Sequence, residues 1–543
     1  MLILASLSGI QDFLFDVRES GGKQARSLRN RSFRVQLMAE CVALRLLEAA
    51  GLPSDRILFS AAGKVCIDAG ELPQDRQAAL RGAAADIERR LLGQTHGRLK
   101  LSIALDSSAG GFAEQFERAN RALAADKLKP YSPRSGGWGD DALCVRQLWD
   151  ADAEADRDAR LGSNLVSARW LTIRRSNSPP DTVEADTLGY RVSLDANEPA
   201  AAADIVSCSN LAEPHSAPRL IDRRLFRPRR LARHVPRDPR NQPIEFLNLA
   251  VQSRGAPMLG VLKADADSLG AAISETLRRS TAGGAAALQR LSDALDRFFA
   301  ETLDAEMRRE PWNLIYTVFS GGDDILVVGP WNVMLDFAGH TRRLFDASFG
   351  NAARDRPCST PLTLSGGVAI IKPRYPVHLA ARQADDLLEQ AKGTPAPRAS
   401  TPKDQCAALG SVWKWQHHDA IIGAGRQLAD WVDDGTLRRG WLHTLLELAL
   451  LCRGQAGPEY AGSHPAVATS RLAYHVARNW PPKRSNPRND AERAGNAARD
   501  WIDAILREFD QFDNTSHIQT IHLPAIVRYA MLATSAGGSE DES

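Results

Sequence analysis

Asp323 and Asp324 stand side by side directly after Gly321 and Gly322, in the stretch TVFSGGDDILVVG (317–329). Asp265, 58 residues upstream of Asp323, and its neighbour Asp267 close the apolar run of MLGVLKADADSLG (258–270). One acid at the end of a strand and another on a hairpin beside it suit nucleotidyl transfer. Divalent ions held by carboxylates shield triphosphate charge and activate a hydroxyl. Magnesium prefers one or two protein carboxylates, with phosphate oxygens and waters completing its shell. Asp265 and Asp323 would supply that sparse set, with Asp324 and Asp267 as second ligands or supporting groups. Gly321 and Gly322 let backbone N–H groups approach phosphates without side-chain obstruction. Lys392 is a triphosphate contact by its charge.

The elements that would position these residues follow from periodicity. Ile315–Phe319 and Ile325–Val328 are rich in β-formers around the glycine pair, which predicts a hairpin. Met258–Lys263 is a further apolar run, residues 269–308 carry helical spacing at Leu288, Leu291, Leu295, Phe298 and Leu303, and PLTLSGGVAII (361–371) is a strand. YPVHLAARQADDLLEQAK (375–392) reads as an amphipathic helix. The order is that of a ferredoxin-type palm.

The same order occurs earlier in the chain. ILFSAAGKVCI (57–67) lies over TVFSGGDDILV (317–327), LASLSGIQ (4–11) over KADADSLG (263–270), and LKLSIAL (99–105) over LTLSGGVAI (362–370). The spacings agree, 57 residues from Ser6 to Gly63 against 58 from Asp265 to Asp323. The first copy has no acids: Gly63 and Lys64 stand where the second has Asp323 and Asp324. Alone, Gly-Gly-Asp-Asp is ordinary turn chemistry; the strand-ending acids at palm spacing and the degenerate copy make it a candidate site.

The expectation is an α+β chain of four parts: a degenerate palm (1–140), an inter-palm insert (141–245), a catalytic palm (246–400) and a helical C-terminal domain (401–543), since 543 residues are too many for one core. The connector PHSAPRLIDRRLFRPRRLARHVPRDPR (214–240) is dense in Arg and Pro, either a solvated link or a phosphate-contacting segment. From about 406 the pattern reads as helical, and the tail SAGGSEDES as disordered. His417-His418-Asp419 resembles a fragment of an HD metal site but lacks patterned partners, so a helix-start cap is the expectation.

Composition sets limits. A net charge of +2 gives no global argument for nucleic acid, and the seven scattered cysteines contain no CxxC pair. That fits a reducing compartment without a cysteine-based zinc site. No run of eighteen apolar residues occurs, so the reading is a soluble cytoplasmic protein with no membrane partner.

At this point the motifs resemble a known family, the Cas10 (Csm1/Cmr2) large subunits of type III CRISPR effector complexes. SGIQDFLF (8–15) with KQARSLRNRSF (23–33), LARHVPRD (231–238), VLKADADSLG, FSGGDDILVVG, SGGVAIIKPRYPV and LGSVWKW (409–415) carry the resemblance. It implies two palms of the nucleotidyl cyclase, GGDEF-like kind and a cyclic oligoadenylate synthetase. Such an enzyme uses ATP and two Mg²⁺ or Mn²⁺ ions to join AMP units 3′–5′, releasing pyrophosphate when guide RNA pairs with target RNA. By motif, Asp265 and Asp323 would bind metal, and Asp324 would assist them or orient the nucleophile. Ser320, Gly321 and Gly322 would border the phosphates, and Lys392 would meet the triphosphate. The helical C-terminal domain would dock small subunits; guide RNA, target RNA and the other effector subunits, backbone and small, are the implied partners.

Two departures shape the expectation. Palm one starts at Met1, where relatives often carry an HD nuclease, so no DNase activity is expected. Relatives often have a four-cysteine ribbon between the palms, whereas Cys144 here is followed by Gln147 and then only Cys208, so that region is expected to fold without zinc. Two other readings stay open: a catalytically silent ATP-binding scaffold, and a stand-alone cyclase making another second messenger.

Overall fold

The computed structural model describes residues 1–15, 23–61, 63–95, 97–128, 165, 168–175, 185–280, 283–452, 465–509 and 517–535. Cys144, Gln147 and all but the first residue of the acidic tail lie outside them. The described residues divide into two compact units. The first comprises 1–237, 268–327 and 345–362; the second comprises 238–267, 328–344 and 363–543.

The first unit opens with β1 (Leu2–Ser8), α1 (Ile10–Phe15), α2 (Lys23–Ala50), β2 (Ile57–Ala61), β3 (Lys64–Asp68), α3 (Gln74–Thr95), β4 (Lys100–Asp106) and α4 (Phe112–Lys127). The strands form a sheet of order β2-β3-β1-β4, antiparallel at every step. β1 is central and apolar on both faces, as a strand covered on both sides must be. Ile3, Ala5 and Leu7 pack with α2 and α3, while Leu2 and Leu4 turn to Phe116 of α4 and to Leu277 and Leu288 further along the chain.

The insert contributes β5 (Trp170–Arg175), β6 (Ala185–Thr187), β7 (Tyr190–Asp195) and β8 (Ile205–Asn210), an antiparallel sheet of order β6-β7-β5-β8. Leu171, Ile173, Leu188 and Val192 join the core of the first palm. Cys208 is a buried free thiol in β8.

After α5 (Phe246–Ala250), the second palm supplies β9 (Leu259–Ala266), α6 (Leu269–Arg279), α7 (Gly284–Arg297), a π-turn at Phe298–Thr302, α8 (Leu303–Met307), β10 (Tyr316–Gly321), β11 (Asp324–Pro330), α9 (Trp331–Phe349), β12 (Leu364–Ile371) and α10 (Val377–Gly393). The strand order is β10-β11-β9-β12, the order of the first palm, with β13 (Gln405–Ala408) and β14 (Ser411–Lys414) added at the β12 edge. The register repeats as well. Ser6 faces Ser102 as Asp265 faces Ser365, so Ser6 holds the position that the second palm gives to an acid.

Residues 405–415 correct the expectation of a helical C-terminal part from about 406. β13 pairs parallel with β12, and β14 returns antiparallel, so LGSVWKW completes the palm sheet before any helix starts. The reason is local: Leu409 and Gly410 both have positive φ, the combination that a two-residue hairpin with the natural strand twist requires. Helices follow as α11 (His418–Asp433), α12 (Gly440–Cys452), α13 (Pro465–Asn479), α14 (Asp490–Phe509), α15 (Ile518–Ile521) and α16 (Leu523–Ala533). Edge-to-face aromatic pairs hold them, among them Trp431–Trp501 at 5.8 Å and Trp441–Trp480 at 5.6 Å between centroids. Among the described residues no helix is long and apolar enough to cross a membrane.

Candidate functional site

The GGDD hairpin closes through a two-residue turn: β10 ends at Gly321, β11 begins at Asp324, and Gly322 and Asp323 lie between. Gly322 has φ +71°, a conformation that costs an L-residue with a side chain about 1–2 kcal/mol. The turn therefore sets Asp323 at the tip. Asp323 is partly exposed, and among the described residues its carboxylate has no hydrogen bond or ion pair. Asp324 is partly buried at the start of β11 and is already engaged by the protein. Ser320 is buried, and its hydroxyl donates to the Phe299 carbonyl of the π-turn at 2.5 Å, which fixes the base of the hairpin.

A cavity of about 620 Å³ opens in the first unit beside this hairpin, within the range of small-ligand sites. Ser320, Gly321 and Gly322 form part of its wall, together with Ser60 and Gly63 from the degenerate hairpin. A Cβ at Gly321 would meet only Gln36 Nε2, at 4.0 Å. Packing thus does not demand a glycine there; its absent side chain leaves the backbone open to the cavity.

The Arg-rich connector forms another wall, with Arg223, Arg224, Arg227, Arg229 and Arg230. It is not a solvated link. Arg227 Nε pairs with buried Glu40 of α2 at 2.7 Å, and Arg229 donates to the Gln36 carbonyl at 2.8 Å. Arg230 reaches Glu301 at 3.1 Å and Asp296 at 3.6 Å. Asp304 accepts from the Arg233 and His234 amides, and the His234 carbonyl accepts from Thr317 N–H in β10. The strap therefore ties α2 of one palm to the helix and hairpin of the other. Burial pushes the Glu40 carboxyl upward, but Arg227, Arg229 and a Ser60 hydrogen bond outweigh it and hold it below the usual range. Burial raises Asp296 to about 6 against the pull of Arg230 and Arg229. The sequence pointed to the arginines but carried no signal for Glu40, Asp296 or Glu301, whose partners lie up to 187 residues away in the chain, as from Glu40 to Arg227.

The β9 acids lie in the second unit, and each has protein partners. Asp265 accepts from the Lys392 ammonium near the end of α10. Burial pulls the Lys392 pKa down, but the bond to Asp265 and the charges of Asp265, Asp267 and Glu389 raise it overall. Asp267 is buried and accepts from Thr363 Oγ1 at 2.8 Å, Ser365 Oγ at 2.8 Å and Asp404 N–H at 3.1 Å. That geometry gives Asp267 a framework task, joining β12 to the loop before β13, in place of the ligand or ATP-contacting part expected for it. Among the described residues no three His, Cys, Asp or Glu side chains gather into a cluster that could hold a metal ion.

His418 is buried at the start of α11. Trp413 Nε1 donates to its Nδ1 at 3.2 Å, and its Nε2 meets the Leu335 carbonyl at 2.9 Å, which makes Nε2 the protonated nitrogen. His417 makes no side-chain cap, and Asp419 pairs with Arg343 at 3.0 Å. The triplet is thus neither a metal site nor the expected cap; its centre is a core histidine.

Residues 258–401 match the family model of the Cas10/Cmr2 second palm domain, and residues 1–135 match that of Csm1 subunit domain B. Together these cover just over half of the 543-residue chain. The chain belongs to the Cas10 family. Among its Cas10 relatives, the CRISPR system single-strand-specific deoxyribonuclease Cas10/Csm1 (subtype III-A) of Thermococcus onnurineus is 26% identical over 474 residues, 78% of this chain and 58% of the relative. The Mycobacterium tuberculosis protein of the same description is 24% identical over 505 residues, 82% of this chain and 59% of the relative. The chain thus spans rather more than half the length of these curated Cas10 relatives. The Cas10-type fold recurs in a crystal structure of a Csm1–Csm4 cassette in complex with cA4, at TM-score 0.69 and 20% identity over 98% of this chain and 69% of that one. A Csm1–Csm4 cassette in complex with AMPPNP aligns at TM-score 0.67 and 21% identity, over 98% of this chain and 69% of that one.

Proposed function

We propose that this chain is the nucleotide-joining subunit of a type III RNA-guided complex and links ATP-derived AMP units 3′–5′ into cyclic oligoadenylates. The observation that carries the reading is the cavity walled by Ser320–Gly322 on one side and by the acid-free copy, Ser60 and Gly63, on the other. A nucleotide entering it meets open glycine backbone at Gly321 and the guanidinium groups of Arg223 and Arg224 at the rim. Solved relatives in complex with cA4 and AMPPNP support adenine nucleotides as the ligand class.

The donor set fits Mg²⁺ or Mn²⁺: hard carboxylate oxygens, with Asp323 unpartnered and Asp265 already holding a cation in the form of the Lys392 ammonium. Asp323 and Asp265 would hold the ions, with Asp324 in support. Bound there, the ions would lower the pKa of the attacking hydroxyl and offset charge on the leaving pyrophosphate. The protein's own groups do the rest. The Gly322 turn aims Asp323, Ser320 fixes the hairpin base on Phe299, Asp267 braces β12, and Lys392 meets phosphate oxygens. Guide and target RNA, with the other effector subunits, are the proposed partners and the switch; the cytoplasm is the proposed compartment.

The test incubates the protein, alone and assembled with its guide complex and target RNA, with labelled ATP and Mg²⁺, and reads products by mass spectrometry. Cyclic oligoadenylates that disappear in Asp323→Ala/Asp324→Ala establish the reading. ATP left untouched in both preparations overturns it in favour of a scaffold. Labelled single-stranded DNA in a parallel arm tests the expectation that this chain does not cut DNA.

A further inference from the structure

Two ion pairs of opposite sense clamp α10 to β9. Lys263 of β9 pairs with Asp385, and Asp265 of β9, two residues on and on the same strand face, pairs with Lys392. Asp385 and Lys392 are seven residues apart, two turns along one face of α10. All four side chains are less than one-third exposed, and both pairs lie inside the second unit. Gly367 of β12 lets the helix approach this closely, since a Cβ there would lie 2.5 Å from the Ala384 carbonyl oxygen and from Leu388 N.

The two pairs look alike as helix fasteners, yet only one of them uses a carboxylate proposed to bind metal. We propose that Lys392 is a built-in competitor for Asp265, holding the carboxylate closed to divalent cations until a triphosphate draws the ammonium away. An ammonium and a divalent cation cannot both take the same partly buried carboxylate at contact distance without strong mutual repulsion. Triphosphate oxygens offer Lys392 a richer set of acceptors and carry enough negative charge to take the ammonium and the metal together. Metal and nucleotide then bind with positive coupling, each strengthening the other by the same factor. Neither ion settles at Asp265 alone, which limits idle occupation of the site. This inference rests on the reading of Asp265 as a metal ligand.

Mn²⁺ binding to the full chain, followed by electron paramagnetic resonance without nucleotide, tests it. Lys392→Met is expected to tighten Mn²⁺ binding on the order of 10-fold, and Lys392→Arg to leave it near wild type. Lys263→Met removes the companion fastener without touching Asp265, so it is expected to lower thermal stability without tightening Mn²⁺ binding. Unchanged or weaker Mn²⁺ binding in Lys392→Met, or equal tightening in Lys263→Met, overturns the inference. Asp265→Asn separates the two levels: lost Mn²⁺ binding keeps the metal reading, while unchanged binding overturns that reading and the competitor with it. If Lys392→Met does not fold, Lys392→Gln, uncharged but still a hydrogen-bond donor, carries the same measurement.

Discussion

Arg227 of the connector and Glu40 of α2 form an ion pair at 2.7 Å, with side-chain exposures of 18% and 7%. Breaking a pair this buried leaves one charge without a partner, a loss of about 3–5 kcal/mol. Arg227→Met is therefore expected to lower stability by that order, and the double variant Glu40→Gln/Arg227→Met to recover most of it. Denaturant titration of the three proteins checks the pairing. Because Glu40 is held below its ordinary value of 4.5, the pair's contribution is complete above that value and fades as pH falls below it. The double variant lacks this acid-side fading.

His418 gives a second pH dependence at a different place. Burial depresses its pKa from 6.5 to about 4, so the unfolded chain takes up the proton first as pH falls. Stability is complete above pH 6.5 and declines toward pH 4, by about 3 kcal/mol in all. His418→Gln keeps a donor for the Leu335 carbonyl and removes the titration. Its unfolding free energy is expected to be flatter than wild type between these pH values.

Asp267 and Asp323 should separate stability from turnover. Asp267→Ala leaves Thr363 Oγ1, Ser365 Oγ and the Asp404 N–H without their acceptor, at a cost of about 2–3 kcal/mol. Asp323→Ala touches a partly exposed, unpartnered side chain and is expected to change stability by less than about 0.5 kcal/mol. Its nucleotide turnover is expected to drop roughly 10²–10³-fold, the size of losing one preorganised charge-stabilising group. Thermal melts and product assays on both variants check the contrast.

Gly322→Ala tests the turn that aims Asp323. Its φ of +71° is strained with a side chain by about 1–2 kcal/mol. The turn is expected to relax and move the Asp323 carboxylate, lowering turnover while the rest of the fold stays intact. Gly321→Ala has room at 4.0 Å from Gln36 Nε2, so its effect is expected on nucleotide affinity, with stability near wild type.

The sequence by itself determined the two palms. Alternating and continuous apolar runs set the strands, and the glycine pair set the hairpin. The alignment of Ser6 with Asp265 was legible because equal spacings in two copies impose equal registers, which the Ser6–Ser102 and Asp265–Ser365 pairings display. Residues 405–415 were misread as helical because a short hairpin on an existing sheet edge gains its stability from β12, a neighbour that local pattern does not contain. What only the tertiary structure decided is how each charge is used. Asp265 and Asp267 differ by two positions in one strand, yet the first meets an ammonium and the second is buried among two hydroxyls and an amide. Arg227 and Arg230, indistinguishable in an Arg-rich stretch, reach different palms. Residue type and spacing fix what a side chain is able to do; its partners, brought from far along the chain by packing, decide what it does.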